Sequence, residues 1–164
     1  MNKKIKLKDY IAKRNFRQSP EPVDTPAPRS VEKCFVIHKH AASRLHYDLR
    51  LECEGVLYSW AVPRGPSLDP LENRLAVRVE NHPLSYRDFE GVIPPGNYGA
   101  GTVMIWDEGT YTLYEALKGE THEQTFLRQY KKGSIKLEFS GHKLRGRFAL
   151  VKIKKANHSA RFFI

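Results

Sequence analysis

From residue 34 onward the chain alternates apolar and polar positions in short runs with a period of two, the repeat of a strand with one buried face. Runs near residues 34–38, 45–52, 55–62, 74–80, 101–106, 110–116, 134–139 and 147–154 predict strands. Turn chemistry separates them, as at Glu54-Gly55, Pro63-Arg-Gly-Pro66 and Asp107-Glu-Gly109. A helix is predicted around residues 121–131, and Ile5, Leu7, Tyr10 and Ile11, set among lysines, predict a short one within residues 3–14. Many short strands in one small domain favour a mainly β fold. The expected architecture is a compact closed or nearly closed β-barrel of about eight strands with one or two short flanking helices, because closure removes exposed sheet edges. Ser19-Pro-Glu-Pro-Val-Asp-Thr-Pro-Ala-Pro28 carries too many prolines for regular structure and reads as an extended arm. The expected organisation is a basic, proline-rich arm over residues 1–30, a barrel over 31–155 and a tail over 156–164. The tail's apolar end either packs back on the barrel or serves as a contact.

The run over residues 45–52 carries the most chemistry. His46, Asp48 and Arg50 leave one face of the strand, and Leu45, Tyr47, Leu49 and Leu51 leave the other. The polar face then presents two metal-ligand types beside a cation able to fork two hydrogen bonds onto a phosphate. A plain amphipathic strand with a solvated face explains the same alternation. His40, placed in a short Ala-Ala-Ser loop before this strand, favours a site, since one loop ligand and two strand ligands can converge on one ion. A thiolate-free His/His/Asp set suits a borderline-to-hard divalent ion such as Mn²⁺, with Zn²⁺ the main competitor.

A second polar cluster is Arg74-Leu-Ala-Val-Arg78-Val-Glu80-Asn-His82-Pro-Leu-Ser-Tyr86. Leu75, Val77 and Val79 alternate with Ala76, Arg78 and Glu80, and the run ends at His82-Pro83 in a loop that carries Tyr86. A histidine before proline is often only a loop residue, and a tyrosine often belongs to the core. Together, however, the two clusters supply what phosphoester cleavage requires: a metal, cations for the developing charge, and a titratable group to move a proton. The glycines of Gly91-Val-Ile-Pro-Pro-Gly96-Asn-Tyr-Gly99-Ala-Gly101 are not a phosphate loop, because they lead into a strand rather than a helix N-terminus. His38-Lys-His40 is similar to the paired histidines of cupin sites but lacks the glutamate those sites need. His122, His142 and His158 read as surface residues.

Charge adds a partner class. The chain has a formal net charge of +10, distributed as +5 over residues 1–30, −5 over 31–127 and +10 over 128–164. Basic flanks around an acidic, His-rich centre suit a polyanionic partner, most often nucleic acid, although lysine-rich edges also serve solubility. Two cysteines, Cys34 and Cys53, show no metal-type spacing and no disulfide framework, so a reducing cytoplasm is expected. No apolar run reaches membrane-spanning length, and no apolar stretch of a secretory signal follows the basic N-terminus.

Four segments together resemble the 3′-phosphoesterase domain of the bacterial and archaeal DNA ligase D family. They are Phe35-Val-Ile-His-Lys-His-Ala-Ala-Ser-Arg-Leu-His-Tyr-Asp-Leu-Arg-Leu-Glu52, Trp60-Ala-Val-Pro-Arg-Gly-Pro-Ser67, the Arg74 to Tyr86 cluster, and Gly91 to Val103. Leu144-Arg-Gly-Arg-Phe-Ala-Leu-Val-Lys152 resembles the family's closing strand, and the similarity spans about residues 10–154. The resemblance implies a β-barrel and a Mn²⁺-dependent nuclease acting on DNA 3′ ends, with Zn²⁺ or Co²⁺ as alternative ions. Such an enzyme removes a terminal ribonucleoside to leave a 3′-phosphate and then removes that phosphate. By the same resemblance His40, His46 and Asp48 match metal ligands, and Arg50, His82 and Tyr86 match residues that engage the scissile phosphate. Arg74 and Glu80 match further residues important for activity, and Arg64 stands where many relatives have lysine. Arg14 and Glu21 match arm residues tied to the phosphodiesterase step. Asn15 stands where the family usually has aspartate; it keeps a hydrogen-bonding oxygen and loses the charge. Because polymerase and ligase modules are missing from these residues, the expectation is a free-standing form, with a DNA ligase acting in trans and no membrane partner. The competing expectation is a non-catalytic single-stranded nucleic-acid-binding barrel, which has no use for a convergent His/His/Asp set.

Overall fold

The computed structural model describes residues 6–23, 31–154 and 161–164. Along the chain run helix α1 (Lys8–Ala12), strands β1 (Cys34–Ala41), β2 (Leu45–Cys53), β3 (Val56–Val62) and β4 (Leu75–Pro83), and a 3₁₀ turn (Leu84–Asp88). Strands β5 (Gly91–Ile93) and β6 (Gly101–Leu113), helix α2 (His122–Lys132), and strands β7 (Ser134–Gly141), β8 (Arg145–Lys152) and β9 (Arg161–Phe163) follow. The pairing order β1-β2-β3-β4-β9-β8-β7-β6 is completed by β6 against β1, so the strands make a closed or nearly closed ring with β5 added outside β6. The fold is mainly β, as the alternation predicts.

Both faces of the β1–β4 sheet are covered. Phe35 and Ile37 of β1, Leu49 and Leu51 of β2, and Tyr58 and Trp60 of β3 point into the main core with Leu137, Phe139 and Leu150 from β7 and β8. Helix α2 joins this core through Phe126, which is fully buried and packs edge-on to Tyr58 at 4.9 Å. Its ends follow from the sequence. Thr121 and Gln124 form a capping box, and Gly133 takes the left-handed conformation that ends the helix. The opposite face of the sheet is roofed by a second cluster, in which Tyr10 and Phe16 of the arm meet Leu57, Leu84, Tyr86, Phe89, Ile93 and Val103. The face that the alternation marks as polar is therefore walled in, and everything on it needs a partner.

Several local expectations change. Asp107-Glu-Gly109 is not a turn, because β6 runs unbroken from Gly101 to Leu113. One extra β6 residue is accommodated where Ile37 pairs Asp107 and His38 pairs Ile105, a bulge that bends the strand. Asp107 is buried and its carboxylate accepts the backbone N–H groups of His142, Lys143 and Leu144 at 2.9, 3.1 and 2.7 Å, tying down the β7–β8 turn. At Gly109 a Cβ would lie 2.2 Å from the Ser140 carbonyl oxygen, so glycine is there for close strand approach. The short strands β5 and β9 lie outside the predicted set. β9 inserts between β4 and β8, so Phe162 packs back into the core. α1 is shorter than the predicted span, and residues 3–5 of that span, 24–28 of the proline-rich arm, and His158 lie outside the described residues. His122 is not a surface residue: its ring packs edge-on to Tyr111 at 5.0 Å and both its nitrogens are buried.

Candidate active site

His40 belongs to β1 rather than to a loop, and the β1–β2 register sets it directly opposite His46. Two-residue periodicity then aligns His38 and His40 on β1 with His46, Asp48 and Arg50 on β2, all on the walled-in face. The His40 and His46 rings are 4.7 Å apart. His40 Nδ1 lies 3.4 Å from one Asp48 oxygen and His46 Nε2 lies 3.5 Å from the other. Carbonyls decide the tautomers. His40 Nε2 donates to Gly99 O at 2.7 Å and His46 Nδ1 donates to Arg44 O at 2.9 Å, which turns the other nitrogen of each ring toward Asp48. One ligand atom from each of the three residues lies within 4.8 Å of the others. Two oriented imidazole nitrogens and a carboxylate fit a divalent cation.

Arg50 completes this cluster. Its Nη2 donates to Asp48 at 3.1 Å and its Nε to His38 Nδ1 at 3.2 Å, while its guanidinium lies 4.7 Å from the Tyr86 ring centre. Arg50 is 3 % exposed, and its Nη1 has no partner. An unsatisfied, always-charged donor on the wall of a cavity is a ready site for an anion. Burial alone would raise the Asp48 pKa, but the Arg50 charge first, and then His40 and His46, which donate to the carboxylate when their facing nitrogens carry a proton, hold it well below the carboxylate range. The Asp48 hydrogen bond conversely raises the His46 pKa. For His38, burial and then Arg50 push the pKa down to about 3, so it serves as a neutral acceptor.

β4 brings the second cluster alongside through a change of phase. Ser59 pairs Val79 but Leu57 pairs His82, an irregularity that moves His82 onto the face Val79 occupies. Before that irregularity Ala76 shares its face with Arg78, which pairs Trp60 of the core, so Ala76 and not Leu75 is the fully buried residue near the start of the strand. His82 is buried; its Nδ1 donates to Glu80 O at 3.0 Å and its Nε2 accepts from Arg14 Nη2 at 3.1 Å. Burial, then Arg50 and Arg14, hold it neutral with a pKa well below the usual value. Arg14 also donates to Glu21 and Glu80, each at 2.9 Å, and Tyr86 OH donates to Glu21 at 2.9 Å. Ser19 donates to the other Glu21 oxygen at 2.8 Å. Burial drives the Tyr86 pKa well above its ordinary value, so its hydroxyl remains a proton donor.

These side chains line one cavity of about 300 Å³, with Tyr98 and Gly99 on its wall. Of the residues singled out from sequence, His40, His46, Asp48, Arg50, Glu80, His82, Tyr86, Arg14 and Glu21 meet there. Arg64 and Arg74 do not line it. Arg74 precedes β4 and bonds Glu72 and the Arg64 and Gly65 carbonyls, the last two at 2.7 and 3.3 Å, while Arg64 is exposed. Asn15 is exposed, and its side chain accepts Arg17 N at 3.1 Å within a turn of the arm. His38, Ser19 and Tyr98 belong to the cavity or its supports without having been assigned there from sequence. For His38 the signal was available, since it sits two residues from His40 on the same strand face.

A family model described as the DNA Ligase D 3′-phosphoesterase domain matches residues 38–152. The chain belongs to this family. It is 44% identical over 161 residues to the multifunctional non-homologous end joining protein LigD of Pseudomonas aeruginosa, covering 96% of this chain and 18% of that protein. The corresponding LigD proteins of Mycobacterium tuberculosis and Mycolicibacterium smegmatis are 42% and 44% identical, over 90% and 93% of this chain. The chain thus spans about a fifth of the length of these curated relatives, as one phosphoesterase domain would. Among the described residues no helix is long and apolar enough to cross a membrane.

Proposed function

We propose that this domain is a metal-dependent hydrolase that processes DNA 3′ ends, removing a terminal ribonucleoside to leave a 3′-phosphate and then removing the phosphate to leave a 3′-hydroxyl. The observation that carries the reading is a single cavity lined both by the His40, His46, Asp48 donor set and by Arg50, whose buried Nη1 has no partner. When bound, a divalent ion supplies Lewis acidity toward the phosphate and toward water. His40 Nδ1, His46 Nε2 and Asp48 would hold it, and this borderline-to-hard donor set favours Mn²⁺, with Zn²⁺ and Co²⁺ as competitors.

The protein's own groups do the rest. Arg50, fixed by Asp48 and His38, directs Nη1 at a phosphate oxygen and offsets the charge that grows there. His82 is neutral, with its Nδ1 proton anchored on a carbonyl, so Nε2, whose lone pair Arg14 Nη2 holds at 3.1 Å, is the atom that accepts a hydrogen bond from a phosphate hydroxyl once the substrate displaces that guanidinium. Arg14 reaches the same nitrogen and brings a second cation from the arm, held by Glu21 and Glu80. The relatives are named for non-homologous end joining, and for this chain the corresponding substrates are DNA 3′ ends, with a DNA ligase as consumer of the 3′-hydroxyl.

The test pairs metal binding with turnover. Titration calorimetry with Mn²⁺ should show one site in the wild type that is weakened at least tenfold in His46→Ala, with turnover falling in parallel. A His46→Ala protein that binds Mn²⁺ normally and keeps full activity would overturn the assignment. DNA binding that persists in chelator without turnover under any metal would favour a binding module instead.

A further inference from the structure

Tyr98 lines the cavity yet stays 48 % exposed, whereas Tyr86 on the same wall is 2 % exposed. The turn that carries it is built, not loose. Asn97 N and Nδ2 both donate to Pro94 O at 3.3 Å, and Ala100 N donates to Asn97 O at 3.1 Å. Gly99 O accepts His40 Nε2 at 2.7 Å, which ties the residue after Tyr98 to a candidate metal ligand. From the arm, the Lys13 ammonium and the Arg14 guanidinium stand 4.9 and 5.4 Å from the ring centre, and both cations also bond Glu80. The ring is therefore held in place by cations while about half of its surface stays open. A rigid, half-open aromatic ring beside a phosphate site has the form of a stacking surface, because every nucleobase has a π-face to lay on it.

On the phosphoesterase reading above, we propose that Tyr98 is the stacking platform for the terminal nucleobase of the 3′ end whose phosphate occupies the cavity. The arm selects the terminal base. Lys13 and Arg14 stand over the ring, so a strand continuing beyond the platform would run into them. The ligand class is thus a purine or pyrimidine at a strand end, taken without regard to sequence. The platform acts on affinity for the end and contributes no group to bond breaking.

A substrate–enzyme cycle tests this. One primer-template carries a 3′-terminal riboadenosine and its partner a 3′-terminal abasic ribose, and both are assayed with wild type, Tyr98→Ala, Tyr98→Leu and Tyr98→Trp. Wild type should show a KM about tenfold lower for the base-bearing end, in the range that base–aromatic stacking supplies. That ratio should collapse toward one in Tyr98→Ala and Tyr98→Leu and persist in Tyr98→Trp. An unchanged ratio in Tyr98→Leu overturns the platform, as does a ratio that responds to an abasic site at the penultimate position instead. A 3′-terminal 2-aminopurine riboside gives a reading independent of turnover: its emission should change on binding to wild type and not on binding to Tyr98→Leu. Absence of wild-type turnover on any end would count against the phosphoesterase reading alone, and the fluorescence would still decide the platform.

Discussion

Arg50→Lys separates what the guanidinium does for the fold from what it does for the reaction. Arg50 makes two internal hydrogen bonds, to Asp48 at 3.1 Å and to His38 at 3.2 Å, and has one terminal nitrogen to spare. A lysine keeps the charge near Asp48 but has no planar fork, so it cannot hold Asp48 and His38 and still present a donor to a phosphate. Loss of the charge-assisted bond to His38 should cost folding about 2 kcal/mol. Loss of a donor aimed at developing charge should cost about 3 kcal/mol in the transition state, a fall in kcat of roughly 100-fold or more. Urea denaturation and kcat on a 3′-phosphate primer-template, measured on the same preparation with saturating Mn²⁺, give both quantities. A lysine variant with kcat within a factor of about five of wild type would refute the assignment of Nη1 to the phosphate. A variant whose kcat falls only because the protein unfolds, with activity tracking the folded fraction, would refute it equally.

Asp107→Ala strips three backbone N–H groups of their acceptor and should destabilise the domain by about 3 kcal/mol in urea unfolding, with Asp107→Asn intermediate; a change under about 0.5 kcal/mol contradicts the bulge account. For Glu80, burial would raise the pKa, but its own backbone N–H, Lys13 and Arg14 outweigh that and hold it below the ordinary 4.5. A depressed carboxylate contributes stability that is complete above its unfolded value and lost as pH falls through its folded value. The urea midpoint should therefore drop below about pH 4.5, and Glu80→Gln should flatten part of that drop; parallel curves would exclude Glu80 as an anchor of the arm. Asn15→Asp should change diesterase turnover by less than about threefold, because the Asn15 side chain serves an exposed turn rather than the cavity wall. A larger effect would show that this position senses the substrate directly.

Strand periodicity explains why much of the centre is legible in the amino-acid sequence. His46, Asp48 and Arg50 share a face because side chains alternate, and that relation survives errors in strand ends. Register against β1 adds His40, and the same rule adds His38. Other features depend on tertiary structure. Asp107-Glu-Gly109 has the composition of a turn, yet Asp107 serves as a carboxylate cap for a neighbouring turn and Gly109 makes room for Ser140. The irregularity in β4 changes the phase between Val79 and His82, and no local signal announces it. β5 and β9 have three residues each, too few for a repeat to show. Arg14 and Glu21 meet across a seven-residue gap in a proline-rich segment without periodicity, so only the family resemblance points to them. The same resemblance names Arg64 and Arg74, which the fold places outside the cavity lining.

The most direct measurement is a gel assay of the purified domain on a primer-template ending in a single 3′-ribonucleotide, with Mn²⁺, Mg²⁺, Zn²⁺ or EDTA, resolving 3′-phosphate from 3′-hydroxyl products. The account predicts 3′-phosphate followed by 3′-hydroxyl ends with Mn²⁺ and no product in EDTA. Unchanged substrate with every metal, or equal turnover in EDTA, would contradict it.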